Sequence, residues 1–385
     1  MNAGNRTWCL GIIPLLLVGL FAGCKNDAPP HAFEGLLQRL PDRADAWLML
    51  DAQAAAGRYQ AFWQELRQLP LCKAEPHLEQ QLDDLQAIVN GGLVLAKTKL
   101  GFDPLKDLEK IAAAVVFDPK ADPRMVVVVK GKLPADTPKR LFPEAREEKR
   151  GQQLVYVTPG DGPDLAMLAG DMLILADKSM MDAALKPKKL PEAVKKKHPC
   201  LQNVLGKDFV LRLSVHMPGW LGDQLHGMTQ QPGVTALMGL KLLEIEWNQS
   251  LRMALVGVDT KGADHAEDLL AALAELNVAG HWALRSAVQL LLAAELEAIE
   301  EIPTWLAKAL EDPKPWLASM DRLSPKSAAA PEVSREGHRV ALKLKADGLQ
   351  AMVVWALPIA MAIFSFGAPT AVLPGLTSIG NRGAP

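Results

Sequence analysis

The sequence predicts an α+β protein, antiparallel sheets with helices packed on one face, from three observations. Short valine- and leucine-rich runs recur with tight turn chemistry between them. Apolar residues at helical spacing fill the stretches that separate those runs. A similar order of elements then returns in the second half, as it would in two diverged copies of one unit.

Taken along the chain, Ala46-Trp47-Leu48-Met49-Leu50 reads as a buried strand ending at Asp51. Tyr59, Phe62, Trp63 and Leu66 follow at i, i+3, i+4, i+7, which puts them on one helical face and into the core. Leu78, Leu82, Leu85 and Val89 mark the inner face of a second helix. Ala112–Phe117 and Met125–Val129 are strands separated by Asp118-Pro119-Lys120-Ala121-Asp122-Pro123, where proline fixes φ and aspartate bonds the nearby backbone. Leu154–Val157 is a further strand, and Leu165–Leu168 with Met172–Leu175 form a hairpin around Gly170-Asp171. In the second half, Phe209–Val215, Leu242–Trp247 and Met253–Val258 read as strands, and Val340–Leu344, alternating with lysines, as an edge-like strand. Between them lie a glycine-broken helical region from Trp220 to Leu240, a helix capped by Asp264 with Glu267 three residues on, and a longer helix from Trp282 to Glu301.

The N-terminus has a secretory layout: one early positive charge at Arg6, an apolar run from Leu10 to Phe21, then small residues before Cys24. Leu20-Phe21-Ala22-Gly23-Cys24 resembles a bacterial lipobox, with phenylalanine where leucine is usual. That resemblance implies cleavage before Cys24 and lipidation of its thiol, palmitate being the expected acyl type. The organisation expected is a signal peptide over 1–23, a tether over 24–39, an α+β domain over 40–185, a lysine-rich linker over 186–200, a second α+β domain over 201–346 and a hydrophobic tail over 347–385. The tail has no charge between Gly348 and Asn381. Val353, Val354, Trp355, Leu357, Ile359, Ile363 and Phe364 are its candidate membrane contacts, the alternative being a buried helix between the two halves.

Composition narrows the function class. A hydrophobic fraction of 49% and a charged fraction of 22% suit a globular core, and a net charge of −2 excludes a general attraction to nucleic acid. Lys186, Lys188, Lys189, Lys195, Lys196 and Lys197 are the local exception, in a segment broken by Pro187 and Pro191 and read as an exposed linker. Two readings of it stand: a solvated face, or docking on anionic lipid head groups. Of the four cysteines, Cys9 lies in the signal and Cys24 takes the lipid. Cys72 and Cys200 remain as a candidate disulfide in an exported protein, with buried free thiols as the alternative.

No catalytic or metal motif is present. Gly-x-Ser-x-Gly, the Walker loop and the dinucleotide fingerprint are missing, and none of the eight histidines forms His-Glu-x-x-His. Glu295, Glu297, Glu300 and Glu301 read as a solvated helix surface. The sequence therefore names no cofactor, no metal and no catalytic residue, and leaves enzyme activity undecided.

Leu40-Pro41-Asp42, Trp47-Leu48-Met49-Leu50-Asp51, Gly101-Phe102-Asp103-Pro104-Leu105-Lys106-Asp107-Leu108 and Val126–Gly131 resemble a family of uncharacterised exported bacterial proteins. Its members occur as lipoproteins in groups such as myxobacteria and planctomycetes. The resemblance covers residues 40–185 and implies an exported α+β protein without established activity or functional residues. Asp103-Pro104 suits a helix start on physical grounds alone. The expectation is a non-enzymatic lipoprotein, anchored to the bacterial cell envelope on its periplasmic or outer-surface face. It would act structurally or by binding an unknown protein partner near the membrane. A carrier of apolar ligand such as lipid, and a hydrolase with a dispersed site, are the rival expectations.

Overall fold

A computed structural model describes residues 33–74, 76–118, 120–189, 191–201, 209–217, 219, 239–248, 250–274, 312, 314–323 and 332–345. The signal, Cys24, the tail and the expected helix from Trp282 to Glu301 lie outside the described residues, as does nearly all of the region from Trp220 to Leu240.

The fold is α+β around one antiparallel sheet. Its strands are β1 (Ala46–Asp51), β2 (Leu108–Asp118), β3 (Ala121–Gly131), β4 (Arg146–Arg150), β5 (Gln153–Val157), β6 (Asp164–Leu168), β7 (Met172–Ala176), β8 (Leu211–His216), β9 (Leu240–Trp247), β10 (Ser250–Gly257), β11 (Glu332–Glu336) and β12 (Arg339–Lys345). They lie in the order β11-β12-β10-β9-β8-β1-β2-β3-β7-β6-β5-β4. Moving outward from the centre, β1-β2-β3-β7-β6 on one side matches β8-β9-β10-β12-β11 on the other, and the β5–β4 hairpin is an addition. The seam is the antiparallel β1–β8 pair, in register from Ala46 opposite Val215 to Leu50 opposite Leu211. The two expected units are thus halves of one sheet.

Period-two alternation sends the first half's apolar residues to both faces. Trp47 and Met49 join Ala112, Val128 and Ile174 on one face, where Leu36, Met181 and Val194 cover them from the helices Glu34–Leu37, Lys178–Ala184 and Glu192–Lys197. Leu50, Ile111, Val127 and Leu175 point the other way, against Ala55 of the helix Ala52–Arg67. The expectation of helices on one face holds only for the second half as described, where Ala266 and Leu270 of the helix spanning 260–274 pack on Leu251, Leu255 and Val340.

Several local expectations shift. The lysine-rich segment is no loose linker: it forms the helix Glu192–Lys197, with Val194 buried. The edge strand is β11 and not β12, which lies one strand in. The opposite edge, β4, reads Arg-Glu-Glu-Lys-Arg, so both edges carry the charge that discourages pairing with another chain. The cap of the helix over 260–274 is Asp259, whose Oδ1 accepts from the Gly262 amide at 2.8 Å. Asp264 and Glu267 instead accept from Arg335 at 2.7 and 2.8 Å.

The Gly-x-Asp-Pro-x-Lys-Asp-Leu stretch is a capped turn. Asp103 Oδ1 accepts from the Leu105 amide at 3.1 Å, and the Asp103 amide donates to Asp107 Oδ2 at 2.7 Å. The helix Pro104–Asp107 then runs straight into β2, and the Asp107 carbonyl accepts from the Lys132 amide at 2.8 Å. Gly131 allows that approach, since a Cβ there would stand 2.2 Å from the Asp107 oxygen. Gly131→Ala is expected to lower stability by about 1–3 kcal/mol, read as a lower urea midpoint at unchanged slope.

Candidate functional site

The seam holds the titratable group most altered by the fold among the described residues, His198. β8 alternates Leu211, Leu213 and Val215 with Arg212, Ser214 and His216, and the second set lies on the face of Trp47 and Met49, opposite which Ser214 and Arg212 sit in register. The turn after the helix Glu192–Lys197 drops His198 onto Ser214. The His198 ring stands 6.1 Å from the Trp47 ring and 6.3 Å from that of His216. Its Nε2–H donates to the Ala44 carbonyl at 3.2 Å, so Nδ1 is the acceptor and the Ser214 hydroxyl donates to it at 2.9 Å. Burial, with Lys197 adding to it, pushes the imidazole down to about 4 and fixes it neutral. Burial likewise lowers His216. Lys197 Nζ bonds Asp45 Oδ1 at 3.0 Å, while Asp45 Oδ2 accepts from the Phe117 amide.

A hydroxyl donating to a neutral imidazole is the arrangement of a nucleophile and its base. Here both side chains are completely buried, at 0% exposure. With both side chains buried, the pair acts as a rivet between β8 and the chain at Ala44.

Outward from the seam, the same face becomes polar. Arg212 is opposite Glu246, Glu246 opposite Arg252, Arg252 opposite Lys343, and Lys343 opposite Glu332. Arg212 lies 4.3 Å over the Phe209 ring, which stacks on Phe33 at 5.0 Å, and its Nε is 3.6 Å from Glu246. Arg339 Nη2 reaches Glu244 at 2.5 Å. Glu244, Glu246, Arg252, Ala254 and Arg339 line a groove of about 160 Å³ that Pro199 borders from the covering turn. Each carboxylate already faces a guanidinium, so the groove suits a ligand that bears charge of both signs or hydrogen-bonding polar groups. Among the described residues, no three His, Cys, Asp or Glu side chains come together as a metal site.

No motif singles out these residues as a site. The signal that was there is the polar member of each alternating pair, Arg212 and Ser214 on β8, Glu244 and Glu246 on β9. Of the two readings of Cys72 and Cys200, candidate disulfide or buried free thiols, the fold has Cys72 as a buried free thiol. It is buried against Leu66, Leu69 and Leu82 beside the helix Ala52–Arg67, whereas the turn Pro199–Leu201 packs Leu201 into the core on the other face of the sheet. Burial, with Glu79 nearby, raises the Cys72 thiol. Cys24 and the seven tail residues from Val353 to Phe364 lie outside the described residues. No helix among the described residues is long and apolar enough to cross a membrane.

No family model and no curated protein matches this chain. Solved structures of TP0453 are similar to it. Crystal form III aligns over 83% of this chain and 97% of that one, at 11% identity and a TM-score of 0.34. Crystal form IV aligns over 83% and 95%, at 11% identity and 0.33. Such values are too low to place either fold or function, and the architecture rests on the strand register described above.

Proposed function

We propose that the protein is an exported lipoprotein of the bacterial cell envelope, which acts by binding a polar partner and not by catalysis. The observation that carries the non-enzymatic part is the complete burial of Ser214 and His198, a pairing among the described residues that resembles a nucleophile with its base. The rival hydrolase reading gains a serine and two neighbouring histidines from the seam, but Ser214 and His198 are wholly buried. Lined by charge of both signs, the groove between β9, β10 and β12 favours a polar protein segment over the rival apolar ligand. The membrane part rests on Leu20-Phe21-Ala22-Gly23-Cys24. Residues 24 to 33 span at most about 30 Å when fully extended, so a lipid on Cys24 would hold the sheet close to the bilayer.

Intact-mass analysis of the membrane fraction, beside Cys24→Ala, tests the anchor. The expected result is a mature chain beginning at Cys24 with added acyl mass, both lost in the variant. An unmodified chain retaining Met1 would remove the lipoprotein reading. Retention of Cys24→Ala in the membrane would point to the apolar tail as a second attachment.

A further inference from the structure

The lysine-rich segment is fastened along the first folded residues of the chain. The Lys188 amide donates to the Gln38 carbonyl at 2.9 Å, and Lys188 Nζ bonds Asp42 at 2.8 Å. Arg39 donates to the carbonyl of Leu185 and, at 3.5 Å, to that of Ala184. Lys197 bonds Asp45, and His198 bonds the Ala44 carbonyl. Residues 33–45 and 185–198 therefore form one surface. It carries eight basic side chains against four acidic ones, in a chain whose net charge is −2. Arg43, Lys186, Lys189 and Lys196 are exposed on it. This surface also lies where the tether enters the fold, within reach of Cys24.

We propose that this clasped basic surface docks on anionic lipid head groups and orients the sheet against the membrane to which Cys24 tethers it. The proposal rests on the lipoprotein reading for its location and on charge complementarity for its partner. Lysine is attracted to an anionic bilayer only within about one Debye length, ~10 Å, so a tether of up to about 30 Å leaves the patch free to find that field and its own charge holds it there. Because Lys188 and Lys197 fasten the segment to residues 38–45, its backbone is already ordered before docking.

The test is co-sedimentation of the full chain carrying Cys24→Ala with phosphatidylglycerol-containing or pure phosphatidylcholine vesicles, beside the same chain with Lys186→Glu, Lys189→Glu and Lys196→Glu added. Any apolar contribution from residues 10–21 is common to every arm. Partition onto the anionic vesicles is expected to fall at least ~10-fold on charge reversal, and to weaken steeply between about 0.05 and about 0.5 M salt. Partition onto phosphatidylcholine should not change. Equal partition onto both vesicle types, or an unaltered triple variant, would overturn the proposal, as would binding of nucleic acid or an acidic protein in preference to anionic vesicles. The corresponding lysine-to-glutamine variant, expected to lose less, serves if charge reversal impairs folding. Absence of acyl mass on the wild-type chain would sink the anchor alone, since both vesicle arms use a chain that cannot be acylated at Cys24.

Discussion

Lys110→Met is expected to destabilise the protein by about 3–5 kcal/mol, the cost of stranding a buried carboxylate. Lys110 Nζ and Asp51 form an ion pair whose side chains are 7% and 9% exposed, across the β1–β2 pairing. The ammonium also stands 5.6 Å from the Phe33 ring. Asp51 has a second role, because its Oδ1 accepts from the Ala54 amide at 2.9 Å and caps the helix Ala52–Arg67. Methionine keeps the length of the lysine stem and removes only the charge, so packing loss contributes little. Asp51→Asn keeps a capping oxygen and strands the lysine instead, which is expected to be costly for the same reason. The double variant removes both charges and retains the cap. It should recover more than half of the loss, since replacing a whole buried pair is often close to neutral. Urea unfolding of the four proteins measures this cycle. A double variant as unstable as the sum of the singles would mean that the two side chains do not act as a pair.

Acidification is expected to weaken the fold through His198. Its folded value lies at about 4 against an ordinary 6.5, held down by burial and then by Lys197. The unfolded chain therefore binds the extra proton first, and stability falls as pH drops from about 6.5 towards about 4. Full present above that window, the contribution amounts to about 3 kcal/mol. His216, lowered by burial, acts in the same direction. Asp164 and Asp177 have carboxyls raised by burial and act in the opposite one: stability they lend at low pH is lost as pH rises through their folded values. His198→Gln isolates the imidazole, because an amide can accept from Ser214 and donate to the Ala44 carbonyl without titrating. Stability measured at several pH values should fall less steeply below pH 6.5 in the variant than in the parent. Parallel profiles would show that His198 is solvated or already charged.

Much of the local structure was legible from residue pattern. The Trp47–Leu50 run, the valine-rich pair around the Asp-Pro turn and the Gly170 hairpin are all strands in the fold. In that hairpin Ala169 and Gly170 both take positive φ, which suits the tight turn. Asp103 before Pro104 caps a helix, as its chemistry demands. What misled were charged and proline-broken stretches. Arg146-Glu147-Glu148-Lys149-Arg150 has no apolar alternation to mark it, yet it pairs with β5 across Gly151, whose φ is +62°. The lysine-rich segment looked solvated because its apolar content is small, and one buried Val194 with a few bonds to residues 38–45 is enough to hold it down.

The sequence by itself determined the α+β class, most strand positions and the repeat of element order, because these follow from side-chain period and turn chemistry within a few residues. Only the tertiary structure decided that β1 pairs with β8, making two units one sheet, and that His198 closes over Ser214. It also decided that Cys72 and the turn Pro199–Leu201 fall on opposite faces, and that Lys188 and Lys197 pair with Asp42 and Asp45. Those outcomes depend on which distant strands present complementary rows to one another, and on which face of the shared sheet each connection crosses. No local pattern of residues carries that information.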